Sequence, residues 1–331
     1  RPGRRIHRPT AADTQVNPAR PRRGRPPTGI SPIEEVVVSL KDSSSMGASG
    51  VEPAEQPPAP DIDITKPHIA RIYDYFLGGK HNYAVDRQAA EQVLKAMPDA
   101  RLAARVNRRF LIESVRWMMR EAGIRQFLDI GSGLPTQQNV HEVAQAIDKD
   151  ARVVYIDNDP LVRVHAEALL ATDPNTIFLT GDLRDGKALL DRPEVREHLD
   201  FTEPIGLLLV AVLHFIRDNE EAYAITDALY EALPPGSYVA ISHAMRPDAD
   251  SYPEGYAAYN RATASLTLRT PEEIGRFFEG CTPIGSGLSR LADWHLGDSH
   301  GDPRDDNVIA IGDTSALKDF PGMCGLARID R

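Results

Sequence analysis

The sequence predicts an α/β fold, with a mostly parallel β-sheet covered by helices on both faces and preceded by a helical extension. From Arg125 onward, short apolar runs alternate with segments of helical spacing, as in a series of strand–helix–strand units. Several runs are apolar throughout, which is typical of strands covered on both faces. The first run leads into Gly131-Ser132-Gly133, a turn of the kind that joins a strand to a helix in ligand-binding α/β sheets.

The apolar runs give the expected positions of the strands. Between the first two, helically spaced apolar residues such as Val140 and Val143 mark a crossover helix. Thr270 and Glu273 have the spacing of a capping box, with Pro271 at the first turn of the helix that they open. We expect strands at residues 126–130, 152–156, 177–180, 205–213, 237–242 and 307–311.

Two helices are expected ahead of the first strand. Asp86 is placed to cap the first helix, and Pro98 ends it. The second helix continues to a stop at Gly123. Residues at helical spacing are Ala89, Ala90, Val93, Leu94 and Met97 in the first helix, and Val106, Phe110, Ser114 and Met118 in the second.

Composition divides the chain into four parts. Residues 1–60 are rich in Pro, Arg, Ser and Gly and lack a sustained apolar period, so we expect a disordered tail. Residues 61–123 are expected to form a helical cap or lid, 124–312 the ligand-binding α/β domain and 313–331 a C-terminal tail. An insertion at 248–266 contains three tyrosines that are expected to line a substrate pocket: Tyr252, Tyr256 and Tyr259.

Charge and cysteine content narrow the class of protein. The net charge is −10, but residues 1–27 carry eight Arg and one Asp, or +7, so the rest of the chain carries −17. An acidic body repels phosphate backbones, which disfavours a nucleic-acid substrate unless the basic arm supplies the contacts. Cys281 and Cys324 are too few and too far apart for a disulfide framework, and no apolar run is long enough to cross a bilayer. We therefore expect a cytoplasmic protein without a membrane segment.

The strongest motif is the pattern D-x-G-x-G at Asp129, Gly131 and Gly133. Residues without Cβ allow this turn to bring its backbone amides, including that of Ser132, close to a ligand. A dinucleotide-binding loop would have a third glycine where Thr136 stands, and an acid ahead of the first glycine would repel a pyrophosphate. The same acid can instead accept hydrogen bonds from the ammonium group of an amino-acid moiety.

Acidic residues also follow the second and third strands. Asp157, with Asn158 beside it, ends the second strand where a carboxylate can accept hydrogen bonds from both ribose hydroxyls of an adenosine. Asp159 has the alternative role of a helix cap before Pro160. After the third strand, the carboxylate of Asp182 and the amide of Leu183 are placed to bind the edge of an adenine.

These motifs, taken in order, resemble those of class I S-adenosylmethionine-dependent methyltransferases. More narrowly, residues 66–82, 129–140 and 208–215 look like an actinobacterial family known as S-adenosyl methyltransferase, formerly a domain of unknown function. The resemblance covers about residues 61–312. It implies a Rossmann-like domain with a seven-stranded sheet and S-adenosylmethionine as cofactor, and it leaves the methyl acceptor open.

The segment from Arg71 to Asn82 suits either of two roles. Its aromatic residues, Tyr75 among them, precede Gly78 and Gly79, so it can form a short helix and a flexible turn that closes over the cofactor. Its aromatics can equally pack in a core under the N-terminal helices. Tyr75 offers a ring face to the cofactor's cation. Arg71 or Asn107 is the candidate partner of the cofactor's carboxylate.

Two histidines are candidates for a general base. His214 follows the fourth strand and His243 the fifth, and the carboxyl ends of parallel strands line the ligand crevice of such a sheet. Both also suit a structural role. The spacing of His, Cys and acidic residues matches no metal-binding motif, so we expect no metal.

The functional prediction is methyl transfer to a small-molecule acceptor. One alternative is a protein that binds S-adenosylmethionine without turnover, as a sensor or scaffold, because a displacement reaction needs no diagnostic nucleophile. A second alternative is an NAD(P)-dependent oxidoreductase, which the missing third glycine and the acid of the turn disfavour. Oligomeric state is not predicted by any of these features.

Overall fold

Three helices precede the sheet in the computed structural model, which describes residues 63–135, 138–170, 173–246, 257, 266–296 and 314–330. Helix α1 spans Ile69–Leu77, α2 spans Ala84–Ala96 and α3 spans Ala100–Arg120. His68 is the N-cap residue of α1, and Gly78 ends that helix at a left-handed φ of 81°.

The capping of α2 differs in detail from the prediction. Tyr83 is the N-cap residue, and Asp86 lies in the first turn, where its carboxylate accepts the Tyr83 N–H at 2.9 Å. Asp86 therefore satisfies an unpaired amide at the helix start from inside the helix, as the acid of a capping box does. The buried faces of α1 and α2 form a small core with the start of α3: Ile72, Phe76, Ala89, Ala90, Val93, Met97, Ala100 and Ala104.

The sheet has seven strands in the order β3-β2-β1-β4-β5-β7-β6. Strands β1 to β5 pair in parallel, and β7 runs antiparallel to both β5 and β6. This arrangement confirms the predicted seven-stranded, mostly parallel sheet. The strands are Gln126–Ile130 (β1), Arg152–Asp157 (β2), Thr176–Thr180 (β3), Gly206–Val210 (β4), Tyr238–Ala244 (β5), Cys281–Arg290 (β6) and Gly322–Ile329 (β7).

Helices cover both faces of the sheet. The connecting helices are α4 Val140–Gln145, α5 Pro160–Leu170, α6 Lys187–Leu190, α7 Pro193–His198, α8 Asn219–Ala232 and α9 Pro271–Gly275. Because neighbouring side chains of a strand point to opposite faces, Leu128 packs in the core under α6 to α8 and Phe127 in the core under α3 and α4. Among the described residues, no helix has the length and apolar character of a membrane span.

The C-terminal part of the sheet corrects the sequence prediction. Residues 313–331 were expected to be a tail, but β7 lies there, paired with β5 from Tyr238↔Arg328 to Ala244↔Gly322. The expected strand at 307–311 lies outside the described residues, as do the three tyrosines of the 248–266 insertion. Strand β4 ends at Val210 rather than at residue 213, because Ala211 adopts a left-handed φ of 58° and a 3₁₀ turn follows.

Candidate functional site

A cavity of about 450 Å³ opens at the carboxyl edge of the sheet. The turns after β1, β2, β3, β4 and β5 form its floor, and α1 and α3 contribute a wall. The strand order reverses between β1 and β4, so the loops after these strands diverge and leave a crevice, which is where ligands bind in open α/β sheets.

The glycine turn after β1 has the geometry that the sequence predicted. Gly131 and Gly133 adopt left-handed φ values of 77° and 67°, which residues with a Cβ rarely adopt. A Cβ at Gly131 would also collide with the side chain of Val212. Ser132 lies between the two glycines and lines the cavity with them. The turn therefore presents backbone, rather than side chains, to a ligand.

Asp157 is fixed between two backbone amides at the end of β2. Its Oδ2 accepts the Gly133 N–H at 2.8 Å, and its Oδ1 accepts the Asp159 N–H at 2.9 Å. Burial raises the pKa of Asp157, although these two N–H groups act in the opposite direction. Each carboxylate oxygen retains a further lone pair, and the residue lines the cavity. This rigid acceptor pair suits a vicinal diol.

Asp159 is a helix cap, the alternative that the sequence left open. Its Oδ1 accepts the Leu161 N–H at 2.9 Å in the first turn of α5. Its Oδ2 lies 2.8 Å from Nδ1 of His68, at the start of α1. Burial favours a higher pKa for Asp159, but the contact with His68 and the cap hydrogen bond outweigh it and lower the pKa. The pair ties α1 to the loop after β2.

The loop after β3 brings Asp182 and Leu183 to the same cavity. Asp182 caps a 3₁₀ turn by accepting the Arg184 N–H, and its carboxylate also lies 2.9 Å from a guanidinium nitrogen of Arg184. The side-chain amide of Asn158 donates to Asp182 at 3.2 Å. The loops after β2 and β3 are therefore linked by side chains that all line the cavity.

Asp129 and Arg108 form the charged end of the crevice. Asp129 is 4% exposed at the end of β1. Burial raises its pKa to about 7, the charge of Arg108 opposes that rise and the charge of Asp157 adds to it. One guanidinium nitrogen of Arg108 donates to the Gln138 carbonyl at 2.9 Å, whereas its buried Nε has no hydrogen-bond partner among the described residues. An unpaired donor beside a buried acid suits a ligand that carries both charges of an amino acid.

The structure does not bring the predicted residues Arg71 and Tyr75 to the cavity. Arg71 is 3% exposed; its Nε donates to Asp86 at 3.1 Å, and its other nitrogens donate to main-chain carbonyls. The hydroxyl of Tyr75 donates to Glu91 on α2. Because a helix turns by about 100° per residue, both side chains lie on the side of α1 opposite Tyr73, which does line the cavity.

The cavity-lining residues that the sequence analysis did not assign include Arg108 and His68, and Tyr73 of the aromatic segment lines the cavity as well. The predicted Asn107 lies there too, and its side-chain amide donates to the Tyr73 hydroxyl at 2.9 Å. Helical spacing in the sequence could have indicated which residues share this face of α3. The residues of α3 that line the cavity follow one another at spacings of one and three to four: Ala103, Ala104, Asn107, Arg108 and Leu111.

Comparison with protein families matches residues 55–329 to the family described as S-adenosyl methyltransferase. The chain belongs to this family. Two crystal structures support the assignment. A proposed methyltransferase from Thermobifida fusca YX is 38% identical, with 82% of this chain and 98% of that chain covered and a TM-score of 0.73. A DUF574 family protein from Streptomyces avermitilis MA-4680 is 37% identical, with 81% and 99% covered and a TM-score of 0.69. A search of curated proteins finds no match.

The protein is thus an S-adenosylmethionine-dependent methyltransferase, and the crevice fits its cofactor. The unpaired Nε of Arg108 and the buried acid Asp129 complement the carboxylate and ammonium of a methionine moiety. At Gly131 the side chain of Val212 occupies the space that a Cβ would need, so the turn presents only its backbone to the crevice. When bound, the cofactor supplies an electrophilic methyl group on a sulfonium ion.

In this methyltransferase, His243 is held in one neutral state by its neighbours. Its Nε2 lies 2.9 Å from a guanidinium nitrogen of the fully buried Arg269, which can only donate, and its Nδ1 lies 2.7 Å from the Ala244 carbonyl. Burial, the neighbouring His214 ring and Arg269 hold the pKa of His243 well below its usual range. Both ring nitrogens are occupied, which corresponds to a structural role.

His214 lines the cavity but is also uncharged near neutral pH. Burial, and then the charge of Arg269, lowers its pKa to about 3. Its Nδ1 lies 3.4 Å from the Ala244 N–H, so this nitrogen accepts a hydrogen bond and the proton of the neutral ring is on Nε2. A ring in this state donates a hydrogen bond and is a poor base at neutral pH.

The remainder of the cavity is lined mainly by apolar side chains. Side chains from α1, α2 and α3 line this part together with residues near the start of β7. The apolar residues of this part, which we call the acceptor chamber, are Ile69, Tyr73, Phe76, Leu77, Val93, Met97, Leu111, Leu291, Phe320 and Met323. Within the described parts of the chain, no group of three or more His, Cys or acidic side chains is arranged to hold a metal ion.

Proposed function

We propose that this methyltransferase transfers the methyl group of S-adenosylmethionine to a small, largely apolar molecule bound in the acceptor chamber. The observation that carries the proposal is the continuity of one cavity, from the charged crevice at Asp129 and Arg108 to the apolar walls of α1 and α3. A volume of about 450 Å³ lies in the range of small-molecule sites rather than of polymer grooves. The acidic body of the protein also disfavours a nucleic-acid acceptor.

The cofactor is assigned along the strand ends. Asp129 accepts hydrogen bonds from its ammonium group, Arg108 and Asn107 bind its carboxylate, and the amides of the turn at Gly131 to Gly133 contact its methionine portion. The Asp157 carboxylate, already fixed by two N–H groups, accepts the ribose hydroxyls. Asn158, Asp182 and the Leu183 amide complete the adenine end. This order of groups is supported by the lining of one cavity and by the neighbouring positions of β1, β2 and β3 in the sheet.

Methyl transfer in this site depends on placement. The sulfonium charge disappears in the displacement, so the enzyme gains rate by holding the acceptor in line with the methyl group and by excluding water. The half-buried turn after β1 and the apolar chamber suit both tasks. His214 contributes as a hydrogen-bond donor where the cofactor crevice meets the acceptor chamber. His243, which is held in place by Arg269, supports the position of His214. The helices α1 to α3 act as the cap of the domain. Cys281 and Cys324 form no disulfide, which suits a cytoplasmic enzyme.

Calorimetric titration of the full chain with S-adenosylmethionine, S-adenosylhomocysteine and NAD tests the cofactor assignment. We expect the two sulfur ligands to bind and NAD not to bind. Asp157→Ala should weaken both sulfur ligands by about tenfold or more, because hydrogen bonds to a carboxylate contribute about 1.5–3 kcal/mol. Asp185→Ala removes an exposed carboxylate that does not line the cavity and serves as the matched control. Equal losses in the two variants would contradict the assignment.

The acceptor class is tested by transfer of a labelled methyl group into a cell extract that has been separated by size. We expect the label in the fraction below about 1 kDa, the size range of ligands for such cavities. Leu77→Trp places a larger side chain in the chamber and should reduce transfer by about tenfold without changing affinity for S-adenosylhomocysteine. Leu102→Trp, at a half-buried position outside the cavity, is the control. Label found in protein or nucleic acid would refute the proposal. A folded protein that binds cofactor but transfers no label to any fraction would favour a sensor.

A further inference from the structure

One histidine in the wall of the cavity has a free hydrogen-bond donor. His214 is 7% exposed and lines the cavity. Its Nδ1 accepts the Ala244 N–H at 3.4 Å, which leaves the proton of the neutral ring on Nε2. Nε2 has no hydrogen-bond partner among the described residues, and it is not enclosed as their buried unpaired atoms are. The surface of this N–H therefore opens into the cavity, where a ligand can supply the acceptor.

The end of β4 is bent so that His214 lies beside the cofactor turn. Strand β4 pairs with β1, and the Val212 side chain occupies the space of a Cβ at Gly131. Ala211 adopts a left-handed φ of 58°, and its N–H donates to Ser242 Oγ at 3.0 Å. Such strain persists only where the surrounding structure holds it, and it is common at ligand sites. The bend brings the 3₁₀ turn that carries His214 to the cavity next to the glycine turn.

A buried positive charge lies behind this histidine. Arg269 is fully buried, and its three nitrogens donate to neutral acceptors: the carbonyls of Leu213, Ile216 and Asp218, Asn219 Oδ1 and His243 Nε2. Within the described chain, no carboxylate contacts this guanidinium, and Glu273 is linked to it through the Asn219 side chain. Burial lowers the pKa of Arg269 more than the surrounding acidic groups raise it. A buried cation without an ion pair favours an anion nearby.

The charge of Arg269 acts on the cavity through two histidine rings. A guanidinium nitrogen lies 2.9 Å from His243 Nε2, and the centroids of the His243 and His214 rings are 5.5 Å apart. Burial first, and then the charge of Arg269, lowers the pKa of His214, so this ring stays a neutral donor. A hydrogen-bond donor with a cation behind it binds an anionic oxygen more strongly than a neutral one.

The carboxylates that line the cavity belong to other parts of its wall. Among the described lining residues there are four, and Asp129, Asp157 and Asp182 follow β1, β2 and β3, where they are assigned to the cofactor. The fourth, Asp74, directs its Oδ2 to the turn after α1, where it accepts the His81 N–H at 2.9 Å. None of the four follows β4 or β5, whose ends carry the two histidines. An anion at the free histidine N–H therefore meets no carboxylate from these two strand ends.

We propose that the His214 Nε2–H binds the methyl-accepting oxygen as an oxyanion, and that the acceptor is a phenol or carboxylic acid with an apolar body. This inference rests on the proposed function, since it assumes that the acceptor chamber holds the acceptor. The acid gives its proton to water as it binds. A lone pair of the oxyanion then forms the O–C bond, while the S–C bond breaks and its electron pair stays on sulfur. The products are a methyl ether or methyl ester and S-adenosylhomocysteine, and His214 keeps its proton.

Three probes of similar shape test the preference for an anion. They are 3-phenylpropanoate, 2-phenylethanol and 2-phenylethylamine, titrated calorimetrically into the complex of the full chain with S-adenosylhomocysteine. We expect the carboxylate to bind at least about tenfold more tightly than the alcohol, because a charge-assisted hydrogen bond is about twice as strong as a neutral one. The amine should bind most weakly. A wild-type protein that binds the alcohol or the amine as tightly as the carboxylate would overturn the inference and leave the proposed function standing. If none of the three binds, the acceptor chamber is wrong and the proposed function fails as well.

Variants of His214 test whether its N–H is the donor. His214→Phe keeps a ring and removes the donor, so the preference for the carboxylate over the alcohol should fall below about twofold, with unchanged affinity for S-adenosylhomocysteine. His214→Gln retains an N–H near the position of Nε2 and should keep a preference of at least about threefold. His198→Phe is the matched control, because His198 is a half-buried histidine outside the cavity whose Nε2 contacts the Asn175 carbonyl. A full preference in His214→Phe would contradict the role of His214.

Alkaline treatment of the product labelled in a cell extract distinguishes the two sources of the oxyanion. A methyl ester releases labelled methanol, whereas a methyl ether keeps its label, and either result supports the inference. Label recovered in a methylated amine would overturn it.

Discussion

The ionisation of Asp129 predicts how the affinity for the cofactor depends on pH. Burial of this carboxyl raises its pKa from 3.8 to about 7 in the absence of ligand. The pKa of Asp129 is higher in the folded protein than in the unfolded chain. The contribution of this carboxyl to the stability of the folded protein is therefore fully present below its unfolded-state pKa of 3.8 and is lost as the pH rises through about 7. The difference between the two pKa values corresponds to a cost of about 4 kcal/mol for ionising Asp129 in the folded protein. A cationic ligand can offset this cost.

The magnitude follows from the fraction of Asp129 that is ionised. With a pKa of about 7, about 3% of the carboxyl is ionised at pH 5.5 and about 76% at pH 7.5. If only the carboxylate accepts the cofactor's ammonium, S-adenosylhomocysteine should bind about 25-fold more weakly at the lower pH. Isothermal titration calorimetry at half-unit pH steps measures this change directly.

A truncated ligand and a variant isolate the carboxyl responsible. Methylthioadenosine keeps the adenosine and lacks the amino-acid group, so its affinity should change by less than about threefold over the same pH range. Asp129→Asn should bind S-adenosylhomocysteine weakly and with little pH dependence. A flat profile for S-adenosylhomocysteine in the wild-type protein, or an equally steep one for methylthioadenosine, would refute the placement of the ammonium at Asp129.

Three further predictions concern the turn, the buried ion pair and the histidine. Gly131→Ala should lower the affinity for S-adenosylhomocysteine by at least about tenfold, because φ at this position is left-handed and Val212 occupies the space of a Cβ. Gly123→Ala is the control, since φ is left-handed there too but nothing crowds the Cβ. It should cost only about 1 kcal/mol of stability and leave the affinity unchanged. Arg71→Met should lower the free energy of unfolding in urea by about 3 kcal/mol because it leaves a buried carboxylate unpaired, while affinity for the cofactor in the folded protein remains the same. His214 should show no titration between pH 5 and 8 in NMR spectra; a midpoint near 6.5 would contradict its desolvation.

The cofactor crevice was predictable from local patterns. A turn that requires residues without Cβ is visible in the sequence at Gly131 and Gly133, whatever surrounds it. Parallel strands bring their carboxyl ends to one edge, so the order of Asp129, Asp157 and Asp182 after successive strands already predicted that they would meet. The structure places all three in one cavity.

The edge of the sheet was not predictable in the same way. Strand β6 contains Gly285, Gly287 and a break in register between Ile284 and Ser289, so it lacks the apolar run of the central strands. Its partner β7 belongs to the sheet through antiparallel pairing with β5, a contact between residues 78 to 90 positions apart. Pairing over such a distance depends on the assembled core rather than on local pattern.

The sequence by itself determined the fold class and the glycine turn, because strand burial and turn geometry are local properties of the chain, and its resemblance to a known family implied the cofactor. The tertiary structure alone decided which face of α1 meets the ligand. The phase of a short helix depends on how it packs, and packing against α2 and α3 turns Tyr73 toward the cavity and Arg71 and Tyr75 away from it. Burial likewise decided the charge states of Asp129 and His214, since desolvation is a property of the folded molecule.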